Sequence, residues 1–112
     1  MLQLPNYENA IINIEKIRDY CLNSEHPVGK HKAKIFKKAL GIIATDAEWL
    51  INEILGGLNH SVAHEKNSDK YGKRYTVHII IRKLDKEAEV VTGWIIKHRT
   101  INPILTTCFV NI

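Results

Sequence analysis

The chain has 112 residues, of which 45% are apolar and 25% charged, a composition that fits one globular domain over 1–112 with a core of its own. No apolar run approaches the ~18 residues of a membrane span, and the first residues lack the charged and apolar regions of a signal peptide, so a cytoplasmic protein with no membrane partner is expected. The net charge of +4 and pI of about 9.1 favour polyanions and acidic proteins as partners.

Pro5-Asn6 marks a turn, and Ala10-Ile11-Ile12 reads as a short extended lead-in. A first helix is expected over Ile14–Leu22, with Asn13 as its N-cap. Ile14, Ile17, Cys21 and Leu22 recur at the spacing of a buried helical stripe. The run Asn23-Ser24-Glu25-His26-Pro27 ends it.

A basic helix follows, between Pro27-Val28-Gly29 and Gly41. At about 100° per residue, Ala33, Ile35, Phe36, Ala39 and Leu40 share one broad arc, and Lys30, Lys34, Lys37 and Lys38 lie opposite. Lys32 projects into the middle of the apolar arc and His31 sits at its edge. Both belong to the first turn, where unpaired backbone N–H groups and the helix dipole favour an anion. With Arg18, these five lysines concentrate the positive charge locally.

Thr45-Asp46-Ala47-Glu48 has the form of a capping box, and Leu50, Ile51, Ile54, Leu55 and Leu58 continue a third helix to about His60. Gly56-Gly57 weaken its last turn. His64 to Lys73 is polar and reads as an exposed loop. From Arg74 the period becomes two. Strands are expected over Arg74–Lys83, Ala88–His98 and Ile104–Val110, with a hairpin at 84–87 and a turn at 99–103. The fold class is therefore α+β: three N-terminal helices packed on one face of a C-terminal antiparallel β-meander.

No P-loop, dinucleotide fingerprint, HExxH or nucleophile elbow occurs. Cys21 and Cys108 both fall at inward positions without zinc-ligand spacing, so free thiols, no disulfide and no metal are expected. His60 and His64, four apart at a helix end, are not read as a metal pair. What remains is a set of polar groups at strand ends: Arg82, His98, Arg99, Thr106 and Thr107. Joined by Lys30, His31 and Lys32, they form a His/Lys/Arg/Thr set that suits phosphodiester chemistry without a cofactor. Histidine titrates near neutrality and moves protons, cations stabilise charge building on phosphorane oxygens, and RNA brings its own 2′-OH nucleophile.

Leu4-Pro5-Asn6, the segment from Ile14 to Asn23, His26-Pro27 with Gly29-Lys30-His31-Lys32-Ala33, Trp94-Ile95 and the segment from Leu105 to Val110 resemble an uncharacterised bacterial domain family. That family occurs as short single-domain proteins and as the C-terminal tips of polymorphic toxins. More distantly the chain is similar to the barnase/EndoU/colicin/RelE-type ribonucleases, in which a Lys-His pair sits on an early helix and a Ser/Thr-bearing strand closes the sheet. Lys30-His31 or His31-Lys32 matches the pair, and Thr107 matches the Ser/Thr position. Phe109 stands where tyrosine is common, so that hydroxyl is missing.

The resemblance implies a metal-independent RNase toxin with RNA as substrate and a small acidic antitoxin or immunity protein as partner. His31 is the expected general base or acid, Lys32 and Arg82 the phosphate stabilisers, and Thr107 a phosphate or ribose contact. Lys30, Thr106, His98 and Arg99 are expected to bind substrate. The rival reading is a non-catalytic binding module, which would leave these groups dispersed on a flat surface.

Overall fold

A computed structural model of the protein describes residues 2–112 and shows an α+β fold, helices first and a four-stranded antiparallel sheet after. A single 3₁₀ turn, Tyr7–Asn9, follows the Pro5-Asn6 turn. Helix α1 opens as one α-turn, Ile14–Lys16, and continues as a π-helical turn, Ile17–Cys21. Helix α2 spans Lys30–Leu40 and α3 spans Ala47–Leu58. The strands are β1 (Ala63–Glu65), β2 (Gly72–Lys83), β3 (Lys86–Lys97) and β4 (Ile104–Val110), paired in the order β1-β2-β3-β4.

The helices form where the apolar periodicity places them, but their ends depart from the sequence reading. Asn13 is extended, as an N-cap should be, yet its side chain caps nothing. In α1 the Leu22 N–H reaches back to the Ile17 carbonyl at 2.9 Å, the five-residue step of a π turn. Ile17, Cys21 and Leu22 are all buried by it. Helix α2 buries Ala33, Phe36 and Leu40 and stops at Gly41, whose φ of 70° is the left-handed conformation that closes a helix. The expected capping box at Thr45 moves two residues upstream. A 3₁₀ turn, Ala44–Asp46, precedes α3, and the Asp46 carboxylate accepts from the Ile43 N–H at 2.9 Å. Ile43 has no side-chain acceptor to return the bond, so half of the reciprocal pair forms.

Two corrections concern the sheet. The polar stretch read as a loop over His64 to Lys73 begins inside β1 and ends inside β2; β1 pairs Ala63, His64 and Glu65 with Val77, Thr76 and Tyr75. Three residues with one apolar side chain are too few to show a period; backbone hydrogen bonding to β2 makes them a strand. The hairpin is also tighter than expected, with Leu84 and Asp85 between Lys83 and Lys86 and Leu84 at φ 57°. At the other edge, the extended lead-in makes a parallel bridge from Ile11 to Ile104.

Core residues line up across the strands. Tyr75–Trp94–Leu105, Val77–Thr92–Cys108 and Ile79–Val90–Val110 are the three cross-strand rows, and all nine residues are buried. Thr92 is the one polar member, fully buried among the described residues. Its hydroxyl donates to the Val77 carbonyl and accepts from the Trp94 indole N–H, both at 2.8 Å. Burying a hydroxyl is affordable only with such partners. On β4 a bulge opposite Gly93/Trp94 sets Gly93 against Thr107 and Trp94 against Leu105. The extra residue is Thr106.

Helix α3 packs against β2, burying Ala47, Leu50, Ile54 and Leu58 and setting Gly57 against Ile79. A Cβ at Gly57 would stand 2.4 Å from Ile79 Cγ2, whereas one at Gly56 would meet nothing within 4 Å. Gly56→Ala is therefore expected to raise stability by about 0.5–1 kcal/mol through lost chain entropy. Gly57→Ala is expected to lower it by about 1–3 kcal/mol through overpacking. Opposite shifts in the urea midpoint check the pair.

Candidate functional site

Helix α2 starts with an unusually close approach. Gly29 lies against Tyr20 at the end of α1, and a Cβ there would stand 2.1 Å from the Tyr20 carbonyl oxygen. The missing side chain is what lets the two chain segments touch. His26 fixes the same turn. Its Nδ1 accepts from the N–H groups of Val28 and Gly29 at 3.0 and 2.9 Å, so the proton of the neutral ring is on Nε2. The ring stands edge-on to Tyr20, with centroids 4.9 Å apart. The Lys30 N–H bonds the His26 carbonyl and the Ala33 N–H bonds that of Gly29. Between them the N–H groups of His31 and Lys32 have no backbone acceptor among the described residues.

Lys32 runs from this turn across to β4. Its Nζ donates to Thr107 Oγ1 at 2.8 Å and to the Tyr20 hydroxyl at 3.4 Å. The same ammonium lies 4.8 Å from the centroid of Tyr20 and 5.7 Å from that of Phe109, within cation–π range. The position that the helical wheel places among apolar residues is thus a half-buried cation held by two hydroxyls and two rings. Thr107 owes its direction to the bulge and to Gly93. A Cβ at Gly93 would come within 3.0 Å of Thr107 Cγ2 and 3.1 Å of Thr106 Oγ1, so both threonines occupy the space glycine leaves. His31, exposed, lines with Lys32, Ile35, Thr107, Phe109 and Asn111 a cleft of about 620 Å³.

Behind this surface the chain neighbours of Tyr20 and Thr107 meet. Cys21 and Cys108 are both free and fully buried. The neighbouring Cys108 thiol holds the Cys21 thiol below its ordinary value, at about 7, against the opposing effect of burial, with Lys32 and Lys16 adding smaller attractions. The Cys108 thiol is pushed up, by Cys21 beside it and by burial.

The remaining sequence candidates lie elsewhere. Arg82 sits at the hairpin end of β2, largely exposed and ion-paired with Glu87. Thr107 shares its row with Gly93 and Thr76, six residues back along β2, which is ~20 Å of strand. His98 and Arg99 lie past the opposite end of β3, both exposed, Arg99 in the left-handed conformation. Lys30 is exposed at the start of α2. The structure therefore brings together His31, Lys32, Thr106 and Thr107, and separates them from Arg82, His98 and Arg99. It adds Tyr20 and His26, which the sequence reading passed over. His26 lies in the turn before Pro27, and Tyr20 precedes an inward cysteine; neither has a periodic signal.

No group of three or more His, Cys, Asp or Glu side chains suited to a metal occurs among the described residues, and none of their helices is long and apolar enough to cross a membrane. His64, considered beside His60, instead stacks edge-on with His78 at 6.3 Å.

A family model described as "Domain of unknown function (DUF6883)" matches residues 3–112, and the chain belongs to that family. No curated protein and no solved structure gives a significant match.

Two measurements check the site's construction. Gly29→Ala forces Tyr20 and α2 apart and is expected to cost about 1–3 kcal/mol in stability. Cys108→Ala removes the neighbour that lowers the Cys21 thiol and leaves burial to raise it, so thiolate absorbance present in the wild type near pH 8 should vanish in the variant.

Proposed function

We propose that this member of the DUF6883 family is a small metal-independent endoribonuclease of the toxin kind, with RNA as its substrate and a small acidic antitoxin or immunity protein covering its basic surface. The observation that carries the reading is the Lys32–Thr107 hydrogen bond of 2.8 Å, beside His31 and the free N–H groups of the first turn of α2. A dispersed docking face gives no reason for a lysine to leave water and cross to a threonine on another element; a site for one phosphate does. The reading takes the helices to lie on one face of the sheet, as burial of Tyr75, Val77, Ile79 and Ile81 at alternate positions of β2 supports.

In this mechanism the 2′-oxygen of RNA attacks the adjacent phosphorus while the bond to the 5′-oxygen breaks, leaving a 2′,3′-cyclic phosphate and a free 5′-hydroxyl. His31 takes the proton of the 2′-OH. The phenol of Tyr20, beside the Lys32 ammonium, is the proton donor for the departing 5′-oxygen. Lys32 and the N–H groups of the first turn stabilise the charge that grows on the non-bridging oxygens. Thr107 holds Lys32 in place and offers its hydroxyl to phosphate or ribose, and Thr106 lies beside it. Lys30 attracts the strand electrostatically. Arg82, His98 and Arg99 are too far from Lys32 to share one phosphate.

Purified protein should cleave RNA in the presence of a chelator and leave cyclic phosphate ends. His31→Ala, Lys32→Met and Tyr20→Phe are each expected to reduce the rate on the order of 10²–10⁴-fold while circular dichroism stays native. Arg82→Ala should leave the rate unchanged. If RNA is bound but never cut, the protein is a binding module and the catalytic reading falls.

A further inference from the structure

His31 lines a second cleft, on the other flank of α2, larger than the one that holds Lys32 and Thr107. Its volume is about 750 Å³, within the range of small-ligand sites. Its floor is aliphatic: Leu22 from the end of α1, Ala33 from α2 and Ile42 from the following loop, all packed into the core on their other sides. Its wall is cationic: Lys30, Lys34 and Lys37 project from successive turns of α2. None of the three has an ion-pair partner among the described residues. Like charges at this spacing repel and weaken a helix by a few tenths of a kcal/mol per pair, on the order of the 0.2–0.5 that opposite charges gain. Glu25 is the one carboxylate on the described lining.

We infer that this second cleft binds, in single-stranded RNA, the nucleotide one step beyond the two that the scissile phosphate joins. The inference rests on the reading of the Lys32–Thr107 cleft as the place of cleavage. An unstacked nucleotide has an apolar base face and an anionic phosphate, and the cleft offers an aliphatic floor beside three unpaired cations. Single strands are read in this splayed form, with bases against the protein and the backbone along a positive groove. His31 stands on the ridge between the clefts, so a strand crossing the first turn of α2 places the scissile phosphodiester and the two nucleosides it joins at Lys32, and the following nucleotide over Ala33. The substrate class follows: unpaired RNA of at least three nucleotides, since a paired base cannot leave its stack to reach the floor.

The test uses 2′-O-methyl RNA, which cannot supply the nucleophile, and follows the backbone amides of the full chain by NMR. A dinucleotide should shift Lys32, Thr107 and Phe109. A tetranucleotide should shift these and also Leu22, Ala33, Lys34 and Ile42. It should bind more tightly, and Lys34→Gln or Lys37→Gln should lower the salt slope of its affinity by about 0.7 each. If both oligonucleotides shift only the Lys32 side, the inference is overturned and the cleavage site stands. If neither shifts Lys32 or Thr107, the ribonuclease reading fails and takes the inference with it. If polyglutamate shifts the second cleft and RNA does not, the cleft belongs to an acidic protein partner and the inference is likewise overturned.

Discussion

The candidate site depends on how closely α2 can seat against α1. Gly29 and the Tyr20 carbonyl are so close that no side chain fits between them, and His26 holds the same turn by accepting two successive N–H groups. The contact sets both the position and the tilt of the first turn of α2. Everything on that turn inherits its placement: the exposed His31, the crossing Lys32 and the two N–H groups without backbone acceptors. A helix entering a few tenths of an ångström higher would carry Lys32 off Thr107, because a hydrogen bond weakens steeply as it lengthens and bends.

The second constraint lies between α1 and β4. Each contributes two adjacent residues, one facing the core and one facing Lys32. Cys21 and Cys108 meet in the interior, and Tyr20 and Thr107 flank the ammonium. Two devices re-aim the chain to allow it. The π turn in α1 adds one residue before Leu22, and the bulge in β4 adds Thr106 before Thr107. Both are local departures from regular geometry, and both sit beside the cluster, where such departures concentrate in functional proteins.

The charge distribution carries a tension between folding and binding. Lysines fill one flank of α2 without acidic partners among the described residues, while Arg18, Arg74 and Arg82 each have a carboxylate. Lys32 is half-buried against hydroxyls and rings, not a counter-ion. The ammonium thus has hydrogen-bond partners within the fold but no opposite charge among the described residues. The fold itself rests elsewhere, on the buried rows of β2, β3 and β4 and on the Trp94–Thr92–Val77 chain of hydrogen bonds.

The sequence by itself determined the α+β class, the three helices, the three longer strands and the odd placement of Lys32. Each is a property of periodicity or of a turn residue, and such signals are local. It did not reveal β1, whose pairing is made by the backbone of β2, or the shifted cap of α3, which depends on where the preceding loop packs. Strict alternation along β4 would put Leu105 and Thr107 on one face and Cys108 on the other; the bulge instead buries both Leu105 and Cys108 and turns Thr107 toward Lys32. Strand-end position likewise grouped Arg82, His98 and Arg99 with Thr107, though register sets them at opposite ends of a twelve-residue hairpin. Only the tertiary structure decided that Tyr20 and His26 join the cluster and Arg82 does not. Which side chains come together depends on strand register and on one close backbone approach, and both arise from contacts between segments far apart in the chain.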